Sequence, residues 1–129
     1  MNKRTRALQF TAKARKEIYA RDGKRCLFCM IQYRMPAAWR TYLYEMSIME
    51  TMHIIPRSNG GLGIAQNGMI GCKYHHRMLD EGPRETRKEM QEIISGYMAG
   101  KYPGWNRDSL VYQKGEPNVN QKNNKGNKL

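Results

Sequence analysis

Every cysteine and every histidine of this chain belongs to one pattern: Cys26-x-x-Cys29, then His53, then Cys72-x-x-His75-His76. In a C-x-x-C knuckle the tight turn points both side chains at one centre, and a second knuckle from farther along the chain closes a tetrahedron. Cys26, Cys29, Cys72 and His75 have that spacing. Four soft or borderline ligands leave no open coordination position, so a zinc ion held by them would be structural. Single cysteines are more often buried apolar fillers, but the paired spacing argues against that account. The set leaves His53 and His76, with Asn67 between them, as a second polar group that has no structural reason to accompany the first.

Together these residues resemble the HNH, or ββα-metal, endonucleases, specifically the subgroup whose core is stapled by zinc. The resemblance rests on Met52-His53-Ile54-Ile55-Pro56-Arg57-Ser58 leading into a glycine-rich loop, on Asn67 lying nine positions before His76, and on the second knuckle running straight into His76. It covers roughly residues 10–80. A phosphodiester is anionic, so its hydrolysis needs a deprotonated water and a cation that neutralises the developing charge. The resemblance implies His53 as the general base, a task that suits an imidazole titrating near neutrality. It implies His76 as a ligand of a catalytic divalent cation (Mg²⁺, Mn²⁺ or Ni²⁺). Asp80, one helical turn after His76, can face the same ion. By the same analogy Asn67 ties down the loop that presents His53, or ligates the metal directly as in some members. The chain departs from the family at Met52, a position that is often Asp, or His in the colicin-type toxins, and donates a metal ligand. A thioether is a poor ligand for a hard cation, so the ion would be held by His76, Asp80, water and substrate phosphates, with Glu50 able to swing in; an Asp at position 52 would add a hard oxygen ligand.

A chain of 129 residues with 40% apolar content can bury one modest core, to which a metal staple would be useful. Three cysteines, two of them only three positions apart, speak for metal-held thiolates in a reducing compartment rather than a disulfide framework. The basic start is followed by no apolar stretch long enough for a signal peptide or membrane span, which predicts a soluble, intracellular protein. Many small stand-alone members of the resembled family are phage- or mobile-element-borne, which implies the cytoplasm of a bacterial host. The net charge of +12 calls for a polyanionic partner, although by itself it fits nucleic acid, an anionic membrane surface or mere solubility. Lys3, Arg4, Arg6, Lys13, Arg15, Lys16, Arg21, Lys24 and Arg25 crowd the first 25 residues against Glu17 and Asp22 alone. With the resemblance, the partner is DNA, contacted at its phosphates by Lys13, Arg15, Lys16, Arg57 and Arg77, with Arg84 and Arg87 nearby.

The elements that must position these residues form an α+β fold: a small ββα-metal core with a zinc knuckle pair, flanked by N-terminal and C-terminal helices. Residues 1–9 read as a basic arm, 10–114 as the domain, and 115–129, almost devoid of apolar residues, as a disordered polar tail. Thr11 caps a first helix over Phe10–Arg21 with Ala14 and Ile18 on its apolar stripe, and Asp22-Gly23 ends it. Residues 30–39 are irregular. Alternation predicts a strand from Tyr42 to Ile55, the three glycines of Gly60–Gly63 a loop, and Gly68–Gly71 a second strand running into Cys72. A short helix over His75–Asp80 stops at Gly82-Pro83. A longer one follows over Pro83–Ala99 with Met90, Ile93, Ile94 and Tyr97 inward, and Leu110-Val111-Tyr112 is a brief edge strand.

The activity this predicts is a metal-dependent endonuclease that nicks or cleaves DNA. The alternative is a catalytically degenerate protein that keeps the fold as a nucleic-acid- or protein-binding module, such as an inhibitor of a nuclease system or a packaging accessory with a phage or host protein partner. A plain zinc-ribbon transcription factor would leave His53, Asn67 and His76 unexplained.

Overall fold

The computed structural model describes residues 1–36 and 48–114. The first half of the expected strand, Tyr42–Ser47, and the polar tail 115–129 lie outside them, as does the end of the irregular 30–39 stretch. The chain forms a small α+β fold in which helices surround a two-stranded antiparallel sheet.

Residues 3–8, read from sequence as part of a basic arm, form helix α1 (Lys3–Leu8). The Asn2 side chain caps it by accepting from the Thr5 amide at 2.7 Å. So short a helix is not stable alone. It is held by Leu8, which is buried against Ile55, Leu62, Ile64 and Leu110. Helix α2 (Ala12–Asp22) starts where Thr11 accepts from the Ala14 amide at 3.0 Å and ends at Gly23, whose φ of 66° suits glycine. Ala14 and Ile18, four positions apart, are its buried side. Helix α3 (Leu27–Met30) is the single turn of the first knuckle, anchored by the fully buried Phe28.

Strand β1 (Met49–His53) pairs with β2 (Gly68–Cys72) in the register Met49↔Cys72 to His53↔Gly68. The strand expected as far as Ile55 ends two residues earlier, because the Ile54 amide turns to the Asn67 carbonyl and the Ile55 amide to the Asn67 side chain. Helix α4 (Lys73–Glu81) follows β2 without a linker, and Gly82 stops it where a Cβ would strike the Met78 carbonyl. Helix α5 (Arg84–Lys101) buries Thr86, Met90, Ile94 and Met98, with Ile93 and Tyr97 only partly covered. The predicted edge strand reduces to one bridge, Gly61↔Val111, while Leu110 closes a 3-10 turn over Arg107–Leu110 and fills the core beside Leu8. Among the described residues no helix is long and apolar enough to cross a membrane.

Neighbouring Arg21 and Asp22 join the layers at the end of α2. The Arg21 side chain is only 7% exposed. It bonds Asp22 at 2.7 Å, the Ala65 carbonyl at 2.9 Å and the Gly68 carbonyl at 2.6 Å, while Asp22 accepts from the Ile70 amide at 2.8 Å and the Tyr97 hydroxyl at 2.6 Å. The C-terminus of α2 is thereby pinned to β2 and α5, and Arg21 is not available to a partner.

Candidate metal centre and candidate active site

The turn of α3 presents Cys26 and Cys29, and the junction of β2 with α4 presents Cys72 and His75. The four donor atoms all lie within 4.8 Å of one another. Around a tetrahedral ion with metal–sulfur bonds of about 2.3 Å and metal–nitrogen bonds of about 2.0 Å, neighbouring ligands stand roughly 3.5–3.8 Å apart. The Cys29 and Cys72 sulfurs are 3.5 Å apart, and His75 Nδ1 is 3.6, 3.5 and 3.2 Å from Cys26, Cys29 and Cys72. A disulfide would need sulfurs at about 2.05 Å. The set fits a closed tetrahedral site, and these four residues could hold a metal ion such as zinc.

The surroundings orient the donors. His75 Nε2 is 2.8 Å from the Tyr33 carbonyl, which can only accept, so Nε2 carries the proton and the Nδ1 lone pair points at the sulfurs. The His75 amide donates to Cys72 Sγ at 3.3 Å, and the Phe28 and Tyr74 rings pack on the imidazole. Crowding the thiols splits their acidities. Hydrogen bonds from Cys29 and Cys72 pull Cys26 far below the usual thiol range, and the same contacts with Cys26 and Cys72 push Cys29 far above it. Burial lowers the affinity of His75 for a proton, but hydrogen bonds to Cys26 and Cys72 outweigh it and raise its pKa to about 10. A divalent cation satisfies the same negative charge by displacing those protons.

His53 ends β1 at the opposite end of the sheet from Cys72, whose strand partner is Met49. Its Nε2 lies 2.7 Å from the Leu8 carbonyl. The carbonyl fixes the proton on Nε2 and leaves Nδ1 with a lone pair. Phe10 packs on the imidazole with ring centroids 4.1 Å apart. Burial holds His53 below its ordinary pKa. The Leu8 hydrogen bond opposes this, and the charges of Arg57, Arg15 and His76 reinforce it. The shift favours the neutral imidazole, the state a base requires.

Asn67 is fully buried at the foot of β2. Its Oδ1 accepts from the Ile55 amide at 2.8 Å, and its Nδ2 donates to the carbonyls of Ile55 at 3.2 Å and Leu62 at 2.8 Å. The side chain ties the two ends of the loop that follows His53. Both its polar atoms are engaged by the loop, and the side chain has no exposed surface. Gly61 lets the loop close, since a Cβ there would run into the Ile55 carbonyl.

His76 lies on the first turn of α4, between two carboxylates. Its Nδ1 is 3.4 Å from Glu50 and its Nε2 is 3.2 Å from Asp80. Burial raises the pKa of Asp80, opposed by the charges of His76 and His53. His53, His76, Asp80 and Glu50 thus feel one another's fields, but Glu50 and Asp80 engage opposite nitrogens of His76. Met52 is 1% exposed, lies over Gly71 and packs among Cys72, Leu79 and Met90. An Asp at position 52 would therefore enter the core, not a solvated metal site, contrary to the expectation from sequence.

Lys13, Arg15 and Lys16 are exposed on α2, Arg57 on the loop after His53, and Arg77 on α4. The Arg15 guanidinium lies over the Phe10 ring, 5.6 Å from its centroid. Sequence reasoning missed the Leu8 carbonyl, and it gave Phe10 no role beyond the first position of the expected helix. The chain matches no protein-family model, no curated protein and no solved structure.

Proposed function

We propose that this chain is a metal-dependent endonuclease of the HNH type that hydrolyses DNA phosphodiester bonds. Cys26, Cys29, Cys72 and His75 hold a structural zinc, and His76 and Asp80 ligate a catalytic divalent cation. The observation that carries the reading is the setting of His53: Nε2 donates to the Leu8 carbonyl, which leaves the Nδ1 lone pair free, and the His76–Asp80 histidine–carboxylate pair lies within electrostatic reach. A histidine kept only for packing would also be neutral and hydrogen-bonded, but would need no histidine–carboxylate pair beside it.

The chain's own residues would work as follows. His53 Nδ1 takes a proton from water, whose oxygen attacks phosphorus as the bond to the leaving oxygen breaks. Asn67 keeps the loop after His53 from drifting, and Arg15 and Arg57 draw the phosphate toward the base. The divalent cation supplies charge neutralisation at the phosphate. Exposed Lys13, Lys16 and Arg77 would add phosphate contacts that position the duplex without reading it.

A second reading is favoured by the burial of Met52 and by the split engagement of His76, which leave the divalent site poor in pre-arranged ligands. On that reading the fold binds nucleic acid or a phage or host protein and cuts nothing. Incubating supercoiled plasmid with the protein in Mg²⁺, Mn²⁺, Ni²⁺ or chelator, with His53→Ala as control, separates the two. Nicking that needs a divalent ion and His53 supports the enzyme; binding without nicking supports the module.

A further inference from the structure

Residues 7–10 pass between the loop that follows His53 and the end of β1. The Gly63 amide donates to the Ala7 carbonyl at 2.9 Å, the Leu8 carbonyl takes the His53 Nε2 proton, and the half-buried Phe10 ring lies on the imidazole face. Two glycines make the passage: a Cβ on Gly63 would collide with the Gln9 carbonyl, and one on Gly68, the strand partner of His53, would come within 2.7 Å of the Phe10 ring. We propose that Phe10 is a positioning residue for His53, holding the imidazole in the rotamer in which the Leu8 carbonyl takes the Nε2 proton and Nδ1 faces the reacting water. The proposal rests on the reading of His53 as a general base.

A histidine side chain has two torsions, and one hydrogen bond at Nε2 leaves the ring free to swing about that contact. A second contact on the ring face removes the swing, and Phe10 supplies it at 34° to the imidazole plane. Bulk alone is a poor account of Phe10. Its ring is half exposed, sits at the margin of the small Ile18, Ala65 and Ile70 cluster, and occupies space that exists because residue 68 has no side chain. The Arg15 guanidinium also lies over the Phe10 ring, 5.6 Å from its centroid. Phe10 thus contacts both the imidazole and a cation whose charge His53 feels. The charged groups facing His53 are then Arg15 on α2, Arg57 on the loop, and His76 and Asp80 on α4.

The test uses the full chain, loaded with zinc, in wild-type, Phe10→Ala and Phe10→Tyr forms. Nitrogen-15 NMR of the imidazoles reads the tautomer and titration of His53, and plasmid nicking reads kcat, KM and the pH profile. In Phe10→Ala, His53 should become a mixture of tautomers and titrate nearer the ordinary imidazole value. Its kcat should fall about 10- to 100-fold with KM unchanged, the scale of a misplaced catalytic group. Phe10→Tyr, which keeps the ring, should restore all of these. If Phe10→Ala does not fold, Phe10→Val, which keeps an apolar stub without the ring face, is read the same way. A ring-less variant with the wild-type tautomer and titration overturns the positioning role, whatever the nicking. Absence of nicking in wild type with every cation removes the endonuclease reading instead, and the NMR comparison still decides whether Phe10 sets the state of His53.

Discussion

Asn67 is where the largest loss from a single buried polar side chain is expected. Replacing it with Ala removes three hydrogen bonds, worth about 1 kcal/mol each, and leaves the buried Ile55 amide without an acceptor, a further cost of about 1–3 kcal/mol that partly overlaps with the first. The expected total is about 3–5 kcal/mol, a large part of the roughly 5–15 kcal/mol that holds a small domain together. Asn67→Asp is nearly isosteric and separates volume from hydrogen bonding. Its carboxyl still accepts from the Ile55 amide, but the other oxygen now faces the Ile55 and Leu62 carbonyls, two acceptors. The folded variant should therefore bind a proton more tightly than the unfolded chain, whose Asp titrates near 3.9. With the folded value raised, the variant's deficit is smallest at low pH and grows as pH rises through that value. Urea unfolding of wild type, Asn67→Ala and Asn67→Asp, compared at matched pH from about 5 to 8, measures this. Hydrogen exchange at Ile55 and Leu62 shows whether the loss is local. Both variants within about 1 kcal/mol of wild type at every pH would refute the role given to Asn67.

Zinc should be found at one ion per chain, and Cys29→Ser or a strong chelator should unfold the domain, because metal binding in a small fold is largely folding free energy; full folding in metal-free protein by circular dichroism would contradict this. His53→Ala should lower nicking by about 10²–10⁴-fold with DNA affinity nearly unchanged. Because burial keeps His53 below its ordinary pKa, the acid limb of the wild-type pH–rate profile should fall off below about 6.5, and a limb above 7 would point to another base. Met52→Asp should destabilise by about 3–5 kcal/mol, the scale of an uncompensated buried charge, whereas Met52→Leu should cost under about 1.5 kcal/mol in thermal melts. Equal melting of the two variants would mean that the Asp side chain escapes to solvent.

What was legible in the sequence is what depends on local geometry. A C-x-x-C turn presents its donors wherever it is placed, so the spacing of Cys26, Cys29, Cys72 and His75 is enough to assemble four atoms that the fold brings within 4.8 Å. The caps of α2 at Thr11 and Gly23 are local in the same sense. Position 52 was not legible, because alternation along β1 separates two faces without saying which one the core covers; the packing of α4 and α5 decides that and puts Met52 inside. Nothing in the sequence sets Arg21 apart from the other cations of the first 25 residues, and arginine is usually exposed. Its burial needs acceptors from Asp22, Ala65 and Gly68, which meet only once the chain has folded. The Leu8 carbonyl is the most instructive omission. A main-chain acceptor has no residue type, and α1 is too short to announce itself by periodicity, yet this contact chooses the tautomer of His53. The residues able to do chemistry can be found by type and spacing. Which nitrogen of His53 is free to act is set by a carbonyl 45 positions away, and only the folded chain supplies it.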